Sequence, residues 1–265
     1  MGRSHYPVPE VGVLTRQTDI ADKVLKATSN LSRAVSRLEF SDPVTHVYNP
    51  LVYAWDLHSA YVRTWGATPR RVLMLGMNPG PWGMAQTGVP FGEVSMVKDF
   101  LKLSGTVKTP KGEHPKRPVR GLDSPRSEVS GRRLWGFFGE RFGGPEGFFK
   151  EHFVVNYCPL VFMEESARNR TPDKLPTAES APLFEACDAR LRTLVNLYEP
   201  EWVIGVGGFA RKKLDGLFGA KAPASGGHRP TNIGTVLHPS PASPAANRGW
   251  AEAAESQMLA QGVWG

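Results

Sequence analysis

Cysteine is nearly absent from this chain of 265 residues: Cys158 and Cys187 are the only two, 29 positions apart and without a CxxC spacing. Two thiols cannot build a four-cysteine metal cluster and give no reason to expect a disulfide framework. Long apolar runs are missing too, none approaching the roughly 18 residues of a membrane-crossing helix. The opening MGRSHYPVPE lacks the apolar core of a secretory signal, and tyrosine at position 6 breaks the myristoylation pattern. A soluble intracellular protein with no membrane partner is expected: cytoplasmic or nucleoid-associated in a bacterium, nuclear in a eukaryote, and not secreted.

Acid is the next scarcity. Between Arg71 and Val97, Glu93 is the sole carboxylate and lysine is absent; Phe153–Met163 and Asn232–Gly249 contain neither. A paired-carboxylate glycosidase, a lysine Schiff-base enzyme and a hard-cation site therefore lack their reagents in these stretches. A serine triad would need an acid to orient His238, and none is adjacent in sequence. No metal and no cofactor is expected. The chemistry must run on amide, imidazole and backbone donors with aromatic stacking, which suits a leaving group whose negative charge needs stabilising.

The charge that is present is basic and local. Net charge is +7, and residues 102–133 hold nine basic against three acidic side chains, or +6 of that total. Anionic partners are favoured. Pro110, Pro115, Pro118 and Pro125 interrupt the basic segment, for which a solvated, partly disordered loop is expected.

Residues 71–92 read RVLMLGMNPGPWGMAQTGVPFG. Val72–Leu75 form an apolar run bounded by charge and glycine, as a buried strand would be. Five glycines and three prolines then fall within 17 residues, which excludes a helix or a continued strand. Met77, Trp82, Met84, Val89 and Phe91 make the stretch too apolar for a linker. A rigid, glycine-pinned loop at a strand's end brings backbone close to a flat ligand; a buried connector is the alternative at this point.

Along the rest of the chain, residues 1–17 read as a flexible arm and helical periodicity runs from Asp19 to Phe40. Asn49-Pro50 starts a helix reaching about Trp65, and Val94–Leu103, Leu134–Phe142 and Ala181–Tyr198 are further helices. Phe153–Val155, Trp202–Ile204 and Ile233–Leu237 are short strands; Trp202–Ile204 leads into a helix through Ala210 and Leu214. Ser243-Pro244 caps a last helix through Trp250 and Met258. Strands alternating with helices predict the α/β class: one three-layer domain over 18–265, its central, mostly parallel four-stranded sheet flanked by helices. A monomer is expected.

The four strands end at Asn78, Asn156, Gly207-Gly208 and His238, and ligands bind beyond the carboxyl ends of parallel strands. Singly, such an asparagine is an ordinary turn residue and such a histidine an ordinary structural one; together they point to a shared pocket. GVGGFA (205–210) resembles half of a dinucleotide fingerprint but lacks its third-glycine spacing.

With GMNPGPWGMAQTGVPFGEVSMV (76–97), NYCPLVF (156–162), HPSP (238–241) and YNPLVYAW (48–55), the sequence resembles the single-strand-selective monofunctional uracil-DNA glycosylases, within the wider uracil-DNA glycosylase superfamily. The likeness runs from about Tyr48 to Trp250. It implies a base-excision repair enzyme that flips uracil, and 5-hydroxymethyluracil, out of single- or double-stranded DNA and hydrolyses the N-glycosidic bond without cutting the strand. By position, Asn78 matches the asparagine that positions the attacking water and His238 the histidine that stabilises the uracil anion. Asn156 matches the reader of the uracil edge, Phe91 the stacking aromatic, and Met77 and Gly80 backbone positions of the pocket. Arg168, Asn169 and Arg170, with Ser240, Ser243 and Arg248, correspond to DNA-contacting segments. Vertebrate members carry arginine after HPSP, in the wedge that replaces the flipped base; this chain has Ala242. Two alternatives stay open: a non-catalytic module binding single strands or bases, and a glycosylase for other deaminated bases such as hypoxanthine or xanthine.

Overall fold

The structure is a computed structural model describing residues 11–223 and 226–265, the side chains of 11–18 excepted. Helix α1 (Val11–Val35) leads to strand β1 (His46–Tyr48), helices α2 (Pro50–Tyr53) and α3 (Trp55–Trp65), and strand β2 (Val72–Gly76). Helix α4 (Met84–Thr87), a π-helical turn (Met96–Phe100), and helices α5 (Val129–Phe142) and α6 (Pro145–Phe149) follow. Strands β3 (His152–Asn156), β4 (Val161–Met163) and β5 (Asn169–Arg170) precede helix α7 (Thr177–Tyr198), strand β6 (Trp202–Val206) and helix α8 (Gly208–Phe218). Strand β7 (Asn232–Val236) and helices α9 (Pro244–Asn247) and α10 (Trp250–Ala260) end the chain.

All four expected strands pair in parallel, in the order β3-β2-β6-β7. Every residue of β2 and β3 is buried, as a strand covered on both faces requires. Consecutive residues of β3 identify the two covering layers, because their side chains point to opposite faces. Phe153 meets Tyr198 of α7, the ring centroids 5.2 Å apart. His152 stacks on Phe148 of α6 at 4.9 Å and lies 6.1 Å from Trp264. The aromatic layer continues through Trp135 and Phe138 of α5. The chain is thus a three-layer α/β domain. Among the described residues no helix is long and apolar enough to cross a membrane.

Several boundaries differ from expectation. Residues 1–10 of the expected arm lie outside the described residues, and α1 already begins at Val11. Asn49 caps α2, its side chain accepting from the Leu51 N–H, but the helix breaks at Ala54 before α3. The last helix is likewise split: Ser243 caps α9, and Gly249, at φ +144°, turns the chain before α10. Only glycine adopts that φ without strain. A second sheet, β1-β4-β5, is antiparallel and was not expected; its strands of two or three residues are too short to show alternation.

The basic segment is exposed over much of its length, as its charge predicts, but it is tied to the fold and is not a partly disordered loop. Buried Gln86 clamps it, its amide donating to Pro118 O and accepting from the Arg120 N–H, and Tyr48 Oη accepts the His114 N–H at 2.7 Å. Lys108 N also donates to Tyr53 O. Its carbonyls and amides find partners that lie far away in sequence, which composition does not reveal.

Three histidines are held neutral inside this fold. Burial pushes His58, His152 and His238 from 6.5 down to about 4. His152 has no room for a second ring proton: Nδ1 bonds the Phe148 carbonyl and Nε2 accepts the Trp264 indole N–H. As pH falls below 6.5 the unfolded chain takes up protons that the native state refuses until about 4, so stability is lost across that window. Glu128 works the other way: burial raises its carboxyl from 4.5 to about 7, and the native state is protonated first. Three groups against one leave a net loss of about 1.4 kcal/mol per pH unit for each net proton. Thermal unfolding is expected to show Tm falling steadily from pH ~6.5 to ~4.5; a flat Tm would mean that these rings are charged in the native state.

Candidate active site

The register of the large sheet builds the site. Gly76 lies beside Asn156 at the carboxyl ends of β2 and β3, and the pairing continues past the strands, with Tyr157 N bonding Gly76 O and Cys158 N bonding Met77 O. A Cβ at position 76 would collide with Asn156 Oδ1 and stand 2.7 Å from the Phe91 ring. Glycine here is what lets an amide and an aromatic share one corner.

Beyond this edge opens a cavity of about 320 Å³. Met77, Asn78, Gly80, Phe91, Asn156, Asn169, His238 and Ser240, all singled out in the sequence, line it. The Asn78 amide donates from Nδ2 to Leu160 O at 3.1 Å. A carbonyl can only accept, so this bond fixes the amide's orientation and leaves Oδ1 free of it. Phe91 sits at φ +51°, a strained conformation for a non-glycine residue. Its carbonyl is tied to the Trp135 indole N–H at 3.1 Å, and its ring lies 5.8 Å from that of His238. Asn156 is buried, its Nδ2 3.2 Å from Met84 Sδ.

His238 is oriented from its own loop: the Ser240 N–H donates to Nδ1 at 3.1 Å. In the neutral ring this places the proton on Nε2. Gly207 and Gly208 do not line the cavity. Gly207, at φ +88°, backs His238 instead, a Cβ there falling 3.1 Å from the His238 Cβ.

The expected DNA-contacting residues divide. Asn169 reaches the cavity because β5 pairs with β4. Arg168 is exposed, whereas Arg170 bonds Glu164 Oε1 and Lys174 O within its own loop. Ser243 is spent on capping α9. Ala242 and Arg248 are exposed. Arg133 braces the HPSP loop, donating to Pro239 O and Asn247 Oδ1. The guanidinium groups of Arg117 and Arg126 lie 5.2 and 5.4 Å from the ring centroid of Trp82, on the loop that follows β2.

The cavity does hold a carboxylate, contrary to what the acid-poor motifs suggest. Glu128 lines it, with Ser130, from the start of α5. It comes from the basic segment, outside the motif stretches, and no spacing in sequence ties it to Asn78. Among the described residues no group of three or more His, Cys, Asp or Glu side chains stands ready to hold a metal ion.

A parallel sheet whose strand ends carry an amide, an aromatic and a neutral imidazole around one cavity is the architecture of a base-binding α/β protein. The family model described as "Uracil DNA glycosylase superfamily" matches residues 64–259, and the chain belongs to that superfamily. Within it the chain is a member of the single-strand selective monofunctional uracil-DNA glycosylase family. Relatives of that name from Bos taurus and Rattus norvegicus are each 46% identical over 244 residues, 92% of this chain and 88% and 86% of theirs. The Mus musculus relative is 44% identical over 264 residues, 99% of this chain and 92% of its own. A crystal structure of SMUG2 from Pedobacter heparinus superposes with a TM-score of 0.61 at 17% identity, covering 92% of this chain and 97% of that one. That likeness concerns the fold.

Proposed function

We propose that this protein is a monofunctional DNA glycosylase that hydrolyses the N-glycosidic bond of uracil, and of 5-hydroxymethyluracil, leaving an abasic site for base excision repair. The convergence of Asn78, Phe91, Asn156 and His238 on one cavity carries the reading. A flipped base lies against Phe91, and the Asn156 amide, donor and acceptor at once, reads its edge. The free Oδ1 of Asn78 holds a water at the sugar's anomeric carbon. The bond breaks toward an oxocarbenium-like sugar, and the Nε2–H of His238 stabilises the charge left on the base. One chain completes the cavity, so the protein works as a monomer, wherever nuclear or nucleoid DNA is repaired.

The relatives carry single-strand selectivity in their name, and this surface favours the same preference here. The exposed wedge position is Ala242, Arg133 is already bonded, and Arg248 stands six residues further on. Nothing bulky follows HPSP to hold a duplex open. Arg117, Trp82 and Arg126 supply charge and a stacking face to a flexible strand.

Purified protein is expected to release uracil from a labelled oligonucleotide in chelator-containing buffer at low salt, faster from single strands than from a duplex, leaving an alkali-labile site that borohydride does not trap. No release from either substrate would overturn the reading. Exchanging only the base, across uracil, 5-hydroxymethyluracil, hypoxanthine and xanthine, fixes the specificity.

A further inference from the structure

Hydrolysis leaves the attacking water with a proton to lose, and the groups assigned to uracil removal are poor acceptors of it. Asn78 offers an amide oxygen, which orients a water but is not a base at neutral pH. The one ring lone pair of neutral His238, on Nδ1, is taken by the Ser240 N–H. The hydroxyls and the other amides of the wall are no better. Among the described residues that line the cavity, Glu128 is the only carboxylate.

Its seat is built for it. A Cβ at Gly80 or at Gly83 would run into the Glu128 carboxylate, so these two glycines of the Asn78 loop clear the volume that it fills. Glu128 stands at the N-cap position of α5, where a carboxylate would ordinarily fold back onto the helix amides; the Gly131 N–H faces it without closing a capping hydrogen bond, and the carboxylate reaches across to the opposite loop. None of the ion pairs among the described residues involves it. The titratable groups that face it are Glu93, from the loop before the π-helical turn, and His238 in the same cavity.

We propose that Glu128 is a second catalytic group of this site: its carboxylate takes a proton from the water that Asn78 orients. The water oxygen bonds to the anomeric carbon, the glycosidic electron pair leaves with the base, and Glu128 passes the proton on to water in the cavity that it lines. The assignment rests on the uracil-excision reading. Burial first, and then the Glu93 charge, push the Glu128 carboxyl up to about 7, with the Gly131 N–H opposing them. A base of that strength is matched to neutral pH. It is ionised and competent above about 7 and is lost by protonation below.

Single-turnover uracil release measured from pH ~5.5 to ~9, on wild type and on Glu128→Gln, tests this. Wild type is expected to rise about tenfold per pH unit up to an inflection near 7 and then to level off. Glu128→Gln should run about tenfold to a hundredfold below that plateau with the inflection gone, while binding a 2′-fluorinated deoxyuridine oligonucleotide as wild type does. The modest factor follows from an oxocarbenium-like sugar that accepts even a weak nucleophile. Glu128→Asp, which keeps the acid, should retain an inflection at a lower plateau. A wild-type profile preserved in Glu128→Gln, or a defect confined to binding of the fluorinated probe, would overturn the assignment alone. Absence of release by wild type at every pH would overturn it together with the excision reading.

Discussion

Asn78→Ala is expected to lower single-turnover uracil release by at least about 10³-fold while leaving binding of a 2′-fluorinated deoxyuridine oligonucleotide within a few-fold of wild type. The size follows from what the amide does. Its Nδ2 is committed to Leu160 O, so Oδ1 is held at one place and in one direction. A water bonded there is poised for attack, whereas in the alanine variant it is one of many mobile waters. Binding is expected to be spared because the proposed stacking on Phe91 and edge reading by Asn156 do not pass through this side chain. The fold is spared as well. The bonds from Tyr157 N to Gly76 O and from Cys158 N to Met77 O still join the two loops, and loss of one side-chain hydrogen bond costs about 1 kcal/mol. Asn78→Asp keeps an acceptor oxygen but loses the donation to Leu160 O, and should recover only part of the rate. Near-normal turnover in Asn78→Ala would remove the water from its assigned place.

The parts of this molecule that were legible beforehand are those in which local pattern and tertiary role coincide. Val72–Leu75 and Phe153–Val155 are apolar on both faces because both faces are covered, and so they read as strands without help from the fold. Asn78, Asn156 and His238 were legible because the carboxyl edge of a parallel sheet gathers whatever follows each strand. Glu128 was not. It enters the cavity from a proline-broken basic segment, and only the glycines at 80 and 83, on a different loop, reveal the space kept for it. In sequence these glycines suggest a loop whose backbone approaches a flat ligand; in the structure a carboxylate stands against them. The order of the basic segment was hidden for a related reason, since Gln86 and Tyr48 hold it from a distance. The short strands β1, β4 and β5 were hidden because two or three residues have no periodicity.

His238→Ala is expected to cost on the order of 10²–10³-fold in the same assay, the range for losing one preorganised donor to a developing anion. The tautomer decides what kind of donor this is. With Nδ1 accepting from Ser240, the ring offers its Nε2–H to the base, and burial holds it uncharged down to about pH 4. On the proposed reading the imidazole therefore stabilises the departing uracil anion by a hydrogen bond and does not give up a proton to it. Placing a full positive charge beside Phe91 would cost desolvation without a counter-charge within the loop. The consequence can be read in the Glu128→Gln background, where the carboxyl inflection is absent. There the rate should stay level from about pH 8 down to about pH 5. An imidazolium mechanism would instead raise the rate steadily as pH falls toward about 4, because more of the ring would be charged. His238→Gln, which restores an N–H near the same place, should recover part of the lost rate. Equal defects in the alanine and glutamine variants would assign His238 to loop packing against Gly207 and leave the anion to another donor.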